Sequence, residues 1–235
     1  MDGDGRPVLV ATGTSSAIGQ ALMRHLEPEW RILAIGRRVH GADAVPVDLG
    51  QAPSTWRARL EEVLRRLGGH QVEAVVHLAG VVFADRFEAT TEYEWDATLR
   101  INLSAAAHLL QAVRPWLGAG SSVVLVSSVD AWLAAADGPA AAYGAAKAGL
   151  LGLMRHLAAE WGPAGIRVNA VLPGAVASGN GPHPESWRAM AERVALRRPA
   201  APEEVARAIA FLLGEGASYI TGVGLPVDGG LNVTY

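Results

Sequence analysis

The chain contains no cysteine. Disulfides, thiolate catalysis and cysteine-ligated zinc are thereby excluded, and a cytoplasmic setting fits. No apolar run approaches the roughly 18 residues of a membrane span. The N-terminus, Met1-Asp2-Gly3-Asp4-Gly5-Arg6-Pro7, is acidic and leads straight into a strand, so no signal peptide is expected either. An excess of one charge is missing as well. The net charge is −3 and the 20 basic residues are scattered, which leaves no footprint for nucleic acid or an anionic membrane. The histidines show neither metal-ligand spacing nor a Ser-His-Asp grouping. With no linker and no internal repeat, the 235 residues, half of them hydrophobic, are expected to form one domain over 1–235.

What is present begins with Tyr143-Gly144-Ala145-Ala146-Lys147. A tyrosine and a lysine four apart near the start of a helix share a face, so the ammonium can approach the phenol. A free phenol titrates near 10. Lowering that by about three units takes about 4 kcal/mol of preference for the phenolate, which a neighbouring cation can supply. Tyr143 would then exchange a proton near neutral pH. Taken alone, a bare Tyr-x-x-x-Lys favours an ordinary helical pair with no chemistry, so the rest of the chain decides.

Apolar runs and helical stripes alternate along the whole sequence. Runs at Val8-Leu9-Val10-Ala11, Ile32-Leu33-Ala34-Ile35, Val45-Pro46-Val47, Val72 to Leu78, Val123 to Ser127, Arg167 to Leu172 and Leu225-Pro226-Val227 read as strands. Between them lie helical patterns at Pro53 to Leu67, Glu94 to Leu117, Ala141 to Trp161 and from Pro202 to about Gly214. This order predicts an α/β Rossmann fold, a doubly wound parallel sheet of about seven strands with helices on both faces. A segment of about 175–196, rich in glycine, proline, serine and asparagine before a weak helix with Trp187, Met190 and Val194, is expected to be a lid.

The first strand runs into Thr12-Gly13-Thr14-Ser15-Ser16-Ala17-Ile18-Gly19 and then a helix. Such a small-residue turn lets amides and the positive helix end approach a pyrophosphate. After the second strand comes Gly36-Arg37-Arg38, with no carboxylate. A carboxylate there holds the 2′-hydroxyl of NAD, whereas arginine accepts a 2′-phosphate, so NADP(H) is expected. Asp48, followed by Leu49, either touches the adenine or starts a turn. Ala79-Gly80 closes the fourth strand with side chains small enough for a nucleotide to lie on the backbone. His77 in that strand reads as a hydrogen-bonded core histidine. Asn102 lies beside the apolar stripe of the long helix, either structural or binding water.

Taken together these residues resemble the short-chain dehydrogenase/reductase family over nearly the whole length, in detail its ketoacyl-carrier-protein reductase-like members. Thr12, Gly13, Ile18 and Gly19 match the glycine turn, with Ala17 in place of its middle glycine. Ala79-Gly80 match part of its Asn-Asn-Ala-Gly, where His77 replaces an asparagine. Asn102, Ser128, Tyr143 and Lys147 look like its catalytic tetrad. Pro173-Gly174, Pro202-Glu203-Glu204-Val205-Ala206 and Asp228-Gly229-Gly230 complete the agreement.

The resemblance implies reduction of a ketone by NADPH, or the reverse, on a small-molecule substrate. Tyr143 would protonate the oxygen and Lys147 would lower its pKa while holding the ribose. Ser128 would bond the carbonyl oxygen, and Asn102 would place a water. Gly13, Ser15, Ser16, Ile18 and Gly19 would take the phosphates, with Arg37, Arg38, Asp48, Leu49, Ala79 and Gly80 on the adenosine side. Pro173, Gly174 and Val176 would lie beside the nicotinamide. Members pair through the two long helices, so a homo-oligomer, tetramer or dimer, is implied. An NAD-linked alcohol dehydrogenase and a catalytically silent nucleotide-binding regulator are the alternatives. The 15-residue step from Ser128 to Tyr143 is longer than the family's. Either a bulge around Ala134-Ala135-Ala136-Asp137-Gly138 absorbs it and leaves Asp130 at the substrate pocket's rim, or the register shifts and Asp130 enters the site.

Overall fold

The computed structural model describes residues 5–40, 43–66, 71–134, 139–177 and 191–233. Seven strands, β1 Val8–Thr12, β2 Arg31–Gly36, β3 Val45–Pro46, β4 Val72–His77, β5 Ser122–Val126, β6 Arg167–Pro173 and β7 Gly224–Val227, form one sheet in the order β3-β2-β1-β4-β5-β6-β7. All neighbours pair in parallel. Strands β1 and β5 are buried throughout, as their uninterrupted apolar sequences demand of strands covered on both faces. Alternation divides their side chains. Val10, Leu33, Val75 and Val123 pack on Leu60, Leu109, Leu150 and Met154, whereas Leu9, Ala11, Val76 and Val124 pack on Leu22, Ile209 and Leu212.

Those layers are helices α1 Ala17–Leu26, α2 Arg57–Arg66, α3 Glu92–Leu99, α4 Ala105–Val113, α5 Ala141–Trp161 and α6 Pro202–Leu213, with α2, α4 and α5 on one face and α1 and α6 on the other. The chain order reverses direction at β1 and β4, and the crevice beyond their carboxyl ends is where this architecture receives ligands. Among the described residues no helix is long and apolar enough to cross a membrane, and no cluster of His, Asp and Glu could hold a metal ion.

The long helix departs from the expected Glu94 to Leu117. It begins at Glu92, where Thr91 and Glu94 cap each other reciprocally. It then widens into a π-turn over Arg100–Ser104, in which the Ala105 amide reaches Arg100 O. Asn102 sits inside that turn, and widened turns of this kind concentrate at functional sites.

Candidate active site

Two connected cavities line the carboxyl edge of the sheet. The first, about 340 Å³, is bounded by Gly13 to Ser16, Gly36 to Val39, Val47 to Gly50 and Leu78 to Val81. Its floor requires glycine. Gly13 has φ +67°, and a Cβ there would lie 2.6 Å from Ala79 N. A Cβ on Gly19 would lie 2.4 Å from Gly13 O, so the first turn of α1 presses directly on the loop. Ser16 caps α1 by accepting from Gly19 N at 3.0 Å and donates to Gly13 O at 2.8 Å. The Ala17 and Ile18 amides donate to no acceptor among the described residues, as expected at a helix start, and are available to an anion. Ser15 is exposed beside them, and Ala17 replaces glycine at the first residue of the helix without closing the cavity.

Arg37 and Arg38 are both exposed on the rim of this cavity, and among the described residues neither has a side-chain partner. Asp48 lines it too, but its Oδ1 accepts from Gly50 N at 2.9 Å, the turn-starting role. Leu49 is buried and supports the wall.

The second cavity, about 270 Å³, shares Ser16, Leu78, Gly80 and Val81 with the first and brings in Ile18, Ser128, Tyr143, Lys147, Pro173, Gly174 and Val176. Residues far apart in sequence thus meet at the ends of β1, β4, β5 and β6. Gly174 has room for no side chain, since a Cβ would lie 2.8 Å from Asp228 Cβ. Val176 is held in a bridge to Ala200.

Asn102 lies at the seam. Its Nδ2 donates to Thr98 O at 3.0 Å and to Val81 O at 2.8 Å, tying the π-turn to the loop after β4. Its Oδ1 is buried and accepts nothing among the described residues. A Cβ on Gly80 would lie 2.6 Å from that oxygen and 3.5 Å from Lys147 Nζ, so Gly80 keeps open the point where the two groups converge. A buried acceptor without a partner beside a cation is a place for a water.

Lys147 is 3% exposed and donates to Val126 O at 2.9 Å. Burial pushes its pKa down to about 8, with the Asp130 carboxylate opposing. Its Nζ lies 5.3 Å from the centre of the Tyr143 ring. The sequence expectation of a lowered phenol pKa is not met. Burial, then the Asp130 carboxylate, push Tyr143 up to about 12, and a hydrogen bond with Ser128 only partly offsets them. Burial is the main reason; the ammonium meanwhile donates to Val126 O, and the Asp130 carboxylate adds to the effect of burial.

Ser128 follows β5 directly. Its Oγ donates to Asp130 Oδ2 at 2.7 Å and accepts from Asp130 N at 3.2 Å, starting the short turn Val129–Ala131. Ser127, which also lines the second cavity, donates from its Oγ to Lys147 O at 2.8 Å, fastening α5 to the strand end. Ser128 lines the cavity, whereas Asp130 is not among its lining residues and stands just behind Ser128, joined to it by that hydrogen bond. Of the bulge expected around Ala134 to Gly138, Ala135 to Gly138 lie outside the described residues, as do Trp187 and Met190 of the lid. Val194 is described, and it is buried against Gly229 as a packing residue.

Thr12 was not among the expected site residues, although it opens the glycine motif. Its Oγ1 accepts from Leu78 N and Ala79 N at 3.2 and 3.1 Å and lies 3.1 Å from His77 Nδ1. With both lone pairs engaged, the hydroxyl donates to Nδ1, which assigns the imidazole proton to Nε2. His77 is therefore a neutral core residue, its pKa lowered to about 3 by burial and then by Lys147. The lining residues Leu78, Val81 and Val82 were also missed, since nothing polar marks them.

Comparison with known proteins agrees with this geometry. A family model described as enoyl-(acyl carrier protein) reductase matches residues 23–232. The chain is 35% identical to protein FixR of Bradyrhizobium diazoefficiens over 95% of this chain and 86% of that protein. It is 32% identical to D-threitol dehydrogenase of Mycolicibacterium smegmatis over 98% of this chain and 94% of that one. A short-chain dehydrogenase from Burkholderia cenocepacia, solved in complex with NADP, superposes with a TM-score of 0.86 at 28% identity, covering 97% of this chain and 98% of that one. A glycine-floored cleft leading to a serine, tyrosine and lysine at the edge of a seven-stranded parallel sheet, together with these matches, establishes that the chain belongs to the short-chain dehydrogenase/reductase family, oxidoreductases that bind a nicotinamide cofactor.

Proposed function

We propose that the protein is an NADPH-dependent ketone reductase acting on a small molecule, with Tyr143 as the proton donor and Asn102, Ser128 and Lys147 around it. The observation that carries this reading is the pair of adjoining cavities, which has helix-start amides and two arginines without partners among the described residues at one end and Ser128, Tyr143 and Lys147 at the other. The residues fit the cofactor: a side chain on Gly13 or Gly19 would collide with backbone in the cleft floor, and anion donors lie beside it. When bound, NADPH supplies the hydride that reaches the carbonyl carbon. The protein's own residues do the rest. Gly13, Ser15, Ser16, Ile18 and Gly19 hold phosphate. Leu49, Ala79 and Gly80 bound the adenosine side, and Pro173, Gly174 and Val176 bound the nicotinamide side. Tyr143 gives its proton to the carbonyl oxygen, and Lys147 anchors the ribose and, through a water at Asn102 Oδ1, restores that proton. Spectrophotometric turnover of NADPH against a panel of ketones, aldehydes, quinones and acyl thioesters tests the assignment. Binding of NADPH with no turnover across the panel would favour a silent nucleotide-binding protein instead.

Preference for NADPH over NADH should reach tenfold or more. One charge-assisted contact between Arg37 and a 2′-phosphate is worth about 1.5–3 kcal/mol, and tenfold corresponds to about 1.4. Arg37→Ala should remove most of it, with Arg38 supplying the remainder. Equal titration of the unaltered protein by both cofactors refutes the assignment.

The same reading makes the protein a homo-oligomer, tetramer or dimer. Phe87 and Tyr93, 63% and 75% exposed at and just before α3, are large apolar groups that association through the α3, α4 and α5 face would cover. Solution scattering at micromolar concentration should give a multiple of 24.5 kDa; a monomer there contradicts it.

A further inference from the structure

The hydrogen bond between Ser128 and Asp130 has a chemical consequence. A serine hydroxyl owns one proton, and here that proton is given to Asp130 Oδ2 at 2.7 Å. The Ser128 oxygen is also engaged, by Asp130 N at 3.2 Å and by the Tyr143 hydroxyl, so Ser128 has no proton left for the cavity. A substrate carbonyl oxygen is an acceptor, so the two do not bond while the serine stays on the carboxylate. Asp130 keeps its other oxygen, Oδ1, without a hydrogen bond among the described residues, and it is half-buried rather than solvated. It also stands close enough to Tyr143 and Lys147 to raise both their pKa values. A carboxylate so near the oxygen that gains negative charge in a reduction works against that reduction unless the substrate brings a donor to meet it.

We propose that Asp130 determines specificity by binding a hydroxyl on the carbon next to the substrate carbonyl, so that the preferred substrates are α-hydroxy ketones. The substrate hydroxyl donates to Asp130 in place of the serine, and Ser128 Oγ–H, released, donates to the carbonyl oxygen beside Tyr143. The geometry suits this exchange. The two oxygens of an α-hydroxy ketone sit on adjacent carbons, separated by about the length of an O–H···O contact, roughly 2.7–2.8 Å, and Ser128 Oγ and Asp130 Oδ2 are 2.7 Å apart. A plain ketone offers no donor, leaves Ser128 committed to Asp130, and is served by Tyr143 alone. An ammonium would also satisfy a carboxylate, but it would have to approach the buried Lys147 cation, which favours the neutral hydroxyl.

This inference rests on the ketone-reductase reading, and the experiment separates their failures. The kcat and KM for NADPH oxidation are measured with matched pairs, 3-hydroxy-2-butanone against 2-butanone and 2-hydroxyacetophenone against acetophenone, for the unaltered protein, Asp130→Ala, Asp130→Asn and Ser128→Ala. The unaltered protein should favour the hydroxy member by about 10²-fold or more in kcat/KM, since a site built to bond a hydroxyl discriminates strongly against the analogue lacking one. Asp130→Ala should erase most of that ratio in two ways, raising KM for the hydroxy ketone and raising kcat for the plain ketone as Ser128 is freed. Asp130→Asn keeps the shape and should fall between. Ser128→Ala should lower kcat for the hydroxy ketone by about 10²-fold or more, the loss of one such donor. If both members of each pair turn over alike in the unaltered protein, or if Asp130→Ala lowers both by one factor, Asp130 merely steadies Ser128 and its turn, and the proposal is wrong. Faster reduction of 1-amino-2-propanone than of 1-hydroxy-2-propanone would overturn the choice of hydroxyl. Absence of NADPH turnover with every carbonyl of the broader panel counts instead against the reductase reading itself.

Discussion

Tyr143→Phe should lower kcat by about 10²–10⁴-fold, the usual contribution of a positioned general acid, while NADPH affinity stays nearly unchanged. Phenylalanine keeps the ring 5.3 Å from Lys147 Nζ and removes only the hydroxyl, so packing and the cleft survive. The direction of the reaction adds a second readout. With the phenol pushed up to about 12 before cofactor binds, Tyr143 is fully protonated through the neutral range and is ready as an acid. Reduction therefore needs no ionisation of Tyr143 and should be flat on the acid side of neutrality, falling as Lys147 loses its proton near 8. Alcohol oxidation needs the phenolate, whose fraction grows with pH up to the phenol's own pKa, so its rate should climb through the alkaline range. A phenylalanine variant retaining most of its activity, or oxidation already at its plateau at pH 7, would remove Tyr143 from the proposed role.

How far these features can be read from sequence depends on whether they are set by pattern or by direction. Apolar runs and stripes are patterns, and they placed the parallel sheet and α5 at Ala141–Trp161 with little error. The π-turn at Arg100–Ser104 escaped because an α-helix and a locally widened one carry nearly the same stripe; only the amide of Asn102 within it marked the place. The Tyr143 pKa escaped for a different reason. Spacing by four brings a lysine and a tyrosine to one face, but does not say that Nζ bonds Val126 O or that a turn after β5 brings a carboxylate near the phenol. Likewise the sequence left Asp130 either at the pocket rim beside Ser128 or, with a shifted register, inside the site. In the fold they are two ends of one hydrogen bond, which a two-residue spacing allows and does not require. Thr12 had a visible signal, its place at the head of the glycine turn, but its tie to Leu78, Ala79 and His77 depends on the neighbouring strand.

Lys147→Met should abolish turnover and, unlike Tyr143→Phe, weaken cofactor binding too, because the ammonium is proposed to serve both the ribose and proton return. Stability should move in a way that identifies the same group. Lys147 is 3% exposed, and burial lowers its pKa from 10.5 to about 8. That difference corresponds to about 3 kcal/mol of penalty on the buried cation, an order-of-magnitude value. Below pH 8 the folded and unfolded chains both carry the proton, and the whole penalty is present. Between 8 and 10.5 the unfolded chain binds more protons than the folded one, so stability rises with pH; above 10.5 both are neutral and the penalty is gone. Methionine of similar length carries no such term. The difference in unfolding free energy, unaltered protein minus Lys147→Met, should therefore increase by about 3 kcal/mol from pH 8 to 10.5 when followed by urea denaturation, with other titrations cancelling. A difference independent of pH would mean that the folded protein holds Lys147 like a solvated lysine. Methionine cannot bond Val126 O, and an orphaned buried carbonyl costs about 1–3 kcal/mol, which sets the level of the difference but not its slope. A buried lysine that weakens the fold at neutral pH, beside a tyrosine and an amide oxygen without a partner among the described residues, fits the proposed roles of holding the ribose and returning the proton.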